Sequence, residues 1–217
     1  SEHGRILRDV GFLPQQPALY ERLRVDEHLA LAAHYRPAFD IVATMRRLAA
    51  LGIRASQRAS DLSGGQQTEL ALALATGAGP RALLLDEPLA SLDPLARRGF
   101  LRSLLEAVAG RDCTVVLSSH LVTDLADVCD YLLLIVAGGV RLHDSLQRTL
   151  SSHFTVDGAG SPRLPGYVGS FVGLDGHAQS VCQGAEEAYR SLPGFRHATL
   201  DEIIMAWLAA PPLDRHT

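Results

Sequence analysis

One apolar run that ends in acid, Ala82-Leu83-Leu84-Leu85-Asp86-Glu87, constrains this chain more than any other feature. A continuous apolar run closed by carboxylates predicts a buried strand of a parallel sheet over Ala82–Asp86. Its acids then stand at the C-terminal edge of the sheet, where α/β folds place catalysis. One carboxylate there can hold a magnesium shell and its neighbour can orient or deprotonate an attacking water. Ahead of this run lies a small-residue turn, Leu62-Ser63-Gly64-Gly65-Gln66. It predicts the start of an apolar helix from about Gln66 to Thr76, with Ser63 as N-cap. Such a turn offers backbone N–H groups, a hydroxyl and the positive end of a helix dipole to phosphate oxygens. Its glycines let the backbone come close, where a side chain would stand in the way.

The rest of the chain alternates between the same two kinds of element. Val10–Leu13 reads as a short strand stopped by Pro14. A helical pattern runs from Val25 to about Leu51, broken at Pro37 and ended by Gly52. Pro94 opens a helix to about Ala109, Thr114–Ser118 reads as a second buried strand, and Leu121–Cys129 as a helix. Tyr131–Val136 reads as a third strand, turned by Gly138-Gly139 into Val140–His143. Strands alternating with helices predict an α/β fold with a mostly parallel sheet. After about Leu150 the composition changes. Residues 157–184 are rich in glycine with weak periodicity, and a last helix, about Leu200–Ala209, precedes Pro211-Pro212. Residues 1–150 are thus expected to form one domain, with a helical subdomain over about 25–76. Residues 151–217 are expected to be a loosely specified appendage ending in a helix, without catalytic residues.

Composition narrows the function classes. A net charge of −4 gives no pull toward nucleic acid or acidic lipid, and the pairs Arg46-Arg47 and Arg97-Arg98 read as solvated helix faces. Cys113, Cys129 and Cys182 lack metal-ligand spacing and read as buried small residues in a reducing compartment. The longest apolar runs, Leu70–Ala75 and Leu132–Ala137, fall far short of the ~20 residues that cross a bilayer. No export signal is visible at the first residues. His28, His34, His143, His153 and His177 have no motif context and read as surface or packing residues.

Either half of the central pattern alone is common in loops and strand ends. Together, in this order, they resemble the nucleotide-binding subunit of ABC transporters. Three further matches make the resemblance close. Gly11-Phe12-Leu13-Pro14-Gln15-Gln16 is similar to the family's glutamine loop, Ser91-Leu92-Asp93 to its D-loop, and Ser118-Ser119-His120 to its switch histidine. The matches cover about residues 10–145. The resemblance implies a P-loop NTPase-like core with an inserted helical signature subdomain, and ATP and Mg2+ as cofactors. It implies that Gln15 and Asp86 hold the magnesium shell, that Glu87 is the general base or the group that orients the water, and that His120 contacts the γ-phosphate. Ser63, Gly64, Gly65 and Gln66 would clamp the ATP of an opposite subunit, and Asp93 would couple the two sites. The implied partners are a second nucleotide-binding subunit, head-to-tail in a homo- or heterodimer, and transmembrane permease subunits, with no nucleic acid. The implied place is the cytoplasmic face of the cell membrane.

The sequence also departs from the family pattern. All twenty basic residues are arginine. The family's phosphate-binding loop, Gly-x-x-x-x-Gly-Lys-Ser/Thr, is therefore not among these residues. The glutamine loop lies almost at the first residue and no initiator Met is present, which fits a chain truncated ahead of that loop or a processed start. The upstream strands, the phosphate loop and the adenine-stacking aromatic are then expected to be missing, leaving unpaired edges and a chain that is poorly stable or aggregates by itself. Thr68, Glu69 and Leu74 stand where many relatives carry glutamine and arginines, and the alanine-leucine run is similar to that of bacterial exporters. Two readings follow: an ATPase subunit that powers an exporter, active only when complete, or a non-hydrolysing remnant that contributes its signature half-site alone. Chromosome and repair ATPases share the signature but carry coiled-coil arms, and this chain has no sustained heptads. A translation-factor relative would need two copies of the motifs.

Overall fold

A computed structural model describes residues 9–120, 125–158, 164–173 and 176–210. They gather into two compact units, Ser1–Leu121 and Val122–Thr217, so the division falls ahead of the compositional change near Leu150.

The first unit is built on three parallel strands in the order β1 (Val10–Leu13), β2 (Ala82–Leu85), β3 (Thr114–Leu117). The register aligns their last residues, Leu13 with Leu85 and Leu85 with Leu117. Parallel neighbours require crossovers. The first carries α1 (Val25–Tyr35), α2 (Ile41–Ala50) and α3 (Gly64–Thr76); the second carries α4 (Pro94–Val108). Pro37 and Gly52 end α1 and α2 as expected, Gly52 by taking a φ of +75°. Leu29, Leu48, Ile53, Leu70 and Ala73 are buried together among α1, α2 and α3. Helix α3 is apolar nearly all round because α2 lies on one side and α4 and β1 on others. Gly11 permits this approach: a Cβ there would stand 2.6 Å from the Ala75 carbonyl oxygen.

Two expectations about burial need correction. Strands β2 and β3 are not buried on both faces, because Phe12, Leu84 and Val116 form a row in register on the other side and are 56%, 39% and 55% exposed. Arg47 does not lie on a solvated face. Its Nη1 donates to Thr76 Oγ1 at 3.1 Å and its Nη2 is 3.8 Å from Glu69, with burial lowering the guanidinium pKa and raising that of the carboxyl. Of the expected helix over Leu121–Cys129, residues 121–124 lie outside the described residues. Residues 125–128 form turns in which the N–H groups of Val128 and Cys129 both bond Leu125 O.

The second unit opens with an antiparallel hairpin, β4 (Tyr131–Val136) and β5 (Gly139–Ser145). Its turn centres on Ala137 and Gly138, with φ of +49° and +77°, one residue earlier than expected. Positive φ at both central positions is what a two-residue turn between twisted strands demands. After α5 (Leu146–Ser152) come β6 (His153–Asp157), β7 (Tyr167–Val172), β8 (Ala178–Gln183) and β9 (Arg196–His197), an antiparallel sheet in the order β7-β8-β6-β9. Helix α6 (Leu200–Ala209) packs on it, burying Ile203 and Ala206 against Val168 and Val181. Gly169 lets the helix backbone touch the sheet, since a Cβ there would collide with the Ala206 carbonyl. The region expected to be loosely specified thus has a core of its own.

Two polar devices pin this unit. His153 is fully buried, its Nδ1 2.7 Å from Thr149 O and its Nε2 accepting from Trp207 Nε1 at 3.3 Å. Accepting at Nε2 makes the ring neutral with its proton on Nδ1, and burial lowers its pKa. Arg196 donates from both terminal nitrogens to Glu202, which also caps α6 through the Thr199 N–H. The guanidinium holds the Glu202 carboxyl down at about 2. Of the cysteines only Cys182 is buried; Cys113 and Cys129 are partly exposed.

Candidate functional site

Every candidate site residue read from the sequence lies in the first unit. Because the three strands are parallel and end in register, the segments that follow them leave one edge of the sheet together. Gln15 follows β1, Asp86 and Glu87 follow β2, and Ser118 to His120 follow β3. The Asp86 N–H donates to Leu13 O at 2.8 Å and the Ser118 N–H to Leu85 O at 2.9 Å, extending the ladder just past the strands.

Ser118 organises the acids. Its hydroxyl donates to Asp86 Oδ1 at 2.9 Å and accepts the Glu87 N–H at 2.9 Å. Glu87 has a φ of +46°, a left-handed conformation that non-glycine residues rarely adopt, and the Ser118 bond helps to hold it. On the far side, His120 Nδ1 lies 2.8 Å from Glu87 Oε2; the histidine side chain is 64% exposed and the glutamate 26%. Glu87 is thus oriented by its backbone on one side and by an imidazole on the other. Gln15 is exposed in the bend after β1. The Ser118-Ser119-His120 pattern assigns Ser118 no role, and only its place directly after a strand signals one.

A second group forms at the start of α3. Ser63 Oγ accepts the Gln66 N–H at 3.3 Å, and Gln66 Oε1 accepts the Ser63 N–H at 3.1 Å, a reciprocal cap. A Cβ on Gly64 would meet nothing within 4 Å, so the backbone there stands open to a ligand. Gly65 faces α4, with Ala96 Cβ 3.8 Å from where its own Cβ would be. Asp93 caps α4, its Oδ1 accepting from the N–H groups of Leu95 and Ala96, both at 2.9 Å. A capping role therefore accounts for Asp93 in the isolated chain.

The two groups suit different parts of a magnesium nucleotide. Gln15 and the exposed Asp86 offer oxygen donors, the chemistry Mg2+ takes when phosphates and waters complete its shell. Among the described residues no group of three or more His, Cys, Asp or Glu side chains could hold a metal ion without such help. The open start of α3 offers N–H groups to phosphate. No described helix is long and apolar enough to cross a membrane.

Comparison with known proteins points to one family. The family model described as ABC transporter matches residues 1–90. The chain is 38% identical over 164 residues to the rat ATP-binding cassette sub-family A member 7, covering 73% of this chain and 7% of that protein. It is 34% identical over 149 residues to a phosphonates import ATP-binding protein, PhnC, of Burkholderia pseudomallei, covering 63% of this chain and 48% of that one. The chain thus spans less than half the length of these curated relatives. A solved ATP binding subunit of an ABC transporter superposes with a TM-score of 0.58 at 28% identity, covering 68% of this chain and 64% of that one. Solved cbiO1 from Clostridium perfringens, part of the ABC transporter complex cbiONQ, has the same TM-score at 22% identity, covers 66% of this chain and 59% of that one, and shares the fold.

Proposed function

The chain belongs to the family of ABC transporter ATP-binding subunits, and from that membership we propose that it takes part in ATP binding and hydrolysis that power an ABC transporter. The observation that carries the reading is the convergence of Asp86, Glu87, Ser118 and His120 at one sheet edge. Bound ATP would supply the phosphoanhydride, and Mg2+ held beside it would supply charge neutralisation. The chain's own residues divide the remaining work. Gln15 and Asp86 would hold the metal's water shell, and Ser118 fixes the Asp86 carboxylate. Glu87 accepts a proton from, or orients, the attacking water. His120, bonded here to Glu87, would contact the γ-phosphate of bound nucleotide.

Ser63, Gly64, Gly65 and Gln66 serve the nucleotide of a second subunit, and Asp93 touches that subunit across a head-to-tail dimer. The direction we propose is outward, on the alanine-leucine run of α3, although one matched relative is an import ATP-binding protein. The working place is the cytoplasmic face of a membrane, against transmembrane subunits. None of the 217 residues is lysine, so the family's lysine-bearing phosphate loop is not among them. That observation also favours a second reading, in which the chain lends its signature half-site to a partner's ATP and hydrolyses none.

ATP turnover in membranes decides between the two, using the protein together with its transmembrane partner. Turnover lost in Glu87→Gln supports the first reading. Turnover that ignores Glu87→Gln but is lost in Ser63→Ala supports the second.

A further inference from the structure

The segment that follows Gln15 is held by a buried histidine that the catalytic reading does not use. His28, on the first turns of α1, is 4% exposed. Its Nε2 accepts the Tyr20 N–H at 3.1 Å and its Nδ1 lies 2.8 Å from Arg24 O. A backbone N–H cannot accept, so Nε2 carries no proton and the ring is the neutral tautomer protonated at Nδ1. Both ring nitrogens are thereby committed, one to its own helix and one to the backbone of the neighbouring segment.

That segment is bonded onward. Leu23 O accepts the Ala59 N–H at 3.0 Å and Glu21 O accepts the Ser60 N–H at 3.1 Å. Ala59 and Ser60 lie in the short turn that leads into Ser63, and Gln67 Nε2 reaches back from α3 to Ala59 O at 3.0 Å. A continuous set of bonds therefore runs from His28 through Tyr20–Leu23 and Ala59–Ser60 to the start of α3.

We propose that His28 is a positioning residue: in its Nδ1-protonated form it fixes the segment after Gln15 and, through that segment, the approach to the Ser63-Gly64-Gly65 turn. The consequence for turnover rests on the proposed function, but the contact itself does not. It ties the backbone of Tyr20 to Leu23, downstream of Gln15, to the turn that leads into Ser63.

Amide exchange and imidazole nitrogen shifts, measured by NMR on the full-length protein without nucleotide, test it. We expect His28 Nε2 to show the shift of an unprotonated acceptor. In His28→Ala the Tyr20 amide exchanges roughly tenfold faster, as loss of one hydrogen bond implies, and Ala59 and Ser60 exchange faster with it, while Leu72 and Ala73 in α3 do not change. His28→Gln, which keeps an acceptor near the Nε2 position, restores protection at all three. A protonated Nε2, an unchanged Tyr20 amide, or a change confined to Tyr20 overturns the proposal. Should His28→Ala lose protection throughout α3, the glutamine variant decides: a native α3 with an unprotected Tyr20 also overturns it. None of these readouts depends on ATP, so their failure is distinct from failure of the proposed activity.

Discussion

His120 and Glu87 are thirty-three positions apart in the chain, yet Nδ1 of one stands 2.8 Å from Oε2 of the other. The contact exists because β2 and β3 are parallel neighbours in register, so the segments after Leu85 and Leu117 leave the sheet side by side. An acid held by a histidine beside an exposed aspartate is the arrangement on which the water-directing role proposed for Glu87 rests.

Removing the acid tests that role. We expect Glu87→Gln, in the protein together with its transmembrane partner, to lower ATP turnover by about 10²- to 10⁴-fold, the usual contribution of a general base. ATP affinity, read by filter binding, should change little, because glutamine keeps the shape and the polar contacts. His120→Ala should lower turnover as well while leaving thermal stability within about 0.5 kcal/mol, since the side chain is mostly exposed.

Ser118→Ala separates orientation from chemistry. The hydroxyl touches Asp86 and the Glu87 backbone but is not itself placed on the nucleotide. Loss of a group that orients a metal ligand costs roughly 10- to 100-fold in metal affinity. The Mg2+ concentration needed for half-maximal turnover should rise by about that factor, and a threonine at this position should recover part of it.

The contact between β1 and α3 should be intolerant of bulk. A Cβ at Gly11 would sit 2.6 Å from Ala75 O and 2.9 Å from Leu83 Cδ1. We expect Gly11→Ala to destabilise the first unit by about 1–3 kcal/mol. Denaturant unfolding followed by far-UV circular dichroism measures this, and an unchanged midpoint would contradict the packing described.

Acid should loosen the second unit in two windows. His153 has a pKa depressed below the usual imidazole value, so its contribution is complete above about 6.5 and is lost as pH falls below that. Glu202, held at about 2, contributes fully above the ordinary carboxylate range and loses that contribution as pH falls through about 2. Trp207, the only tryptophan in the sequence, bonds His153 and reports the first window by fluorescence. Arg196→Ala should lower the melting temperature at pH 7 and cease to matter near pH 2.

Legibility followed the strength of local signals. Strand β1, helices α1 to α4 and the Ser63 cap were readable because Pro14, Pro37, Gly52 and Pro94 punctuate strongly periodic segments. The burial of β2 and β3 was not, since the apolar run Leu83-Leu84-Leu85 is the same whether both faces are covered or one. The sheet of the second unit was hidden for another reason. Gly169 and Ser180 interrupt the alternation of β7 and β8, and each is there for a tertiary purpose: Gly169 lies under α6, and Ser180 Oγ donates to Gly158 O. Of the site, Asp86, Glu87 and His120 came from order along the chain, while the bonds of Ser118 and His28 depend on neighbours distant in sequence.

The left-handed backbone at Glu87 has a bearing on how this protein trades durability against work. Glycine or asparagine would occupy a φ of +46° with less strain, which for other residues costs on the order of 1 kcal/mol or more. A Glu87→Gly chain should accordingly melt no lower than the parent, and could melt higher, while losing its water-directing carboxylate. The best residue for folding and the best residue for reaction differ at this position. Screens that select for heat resistance alone should therefore drift away from glutamate here, and enriched variants should be checked for turnover before being counted as improvements.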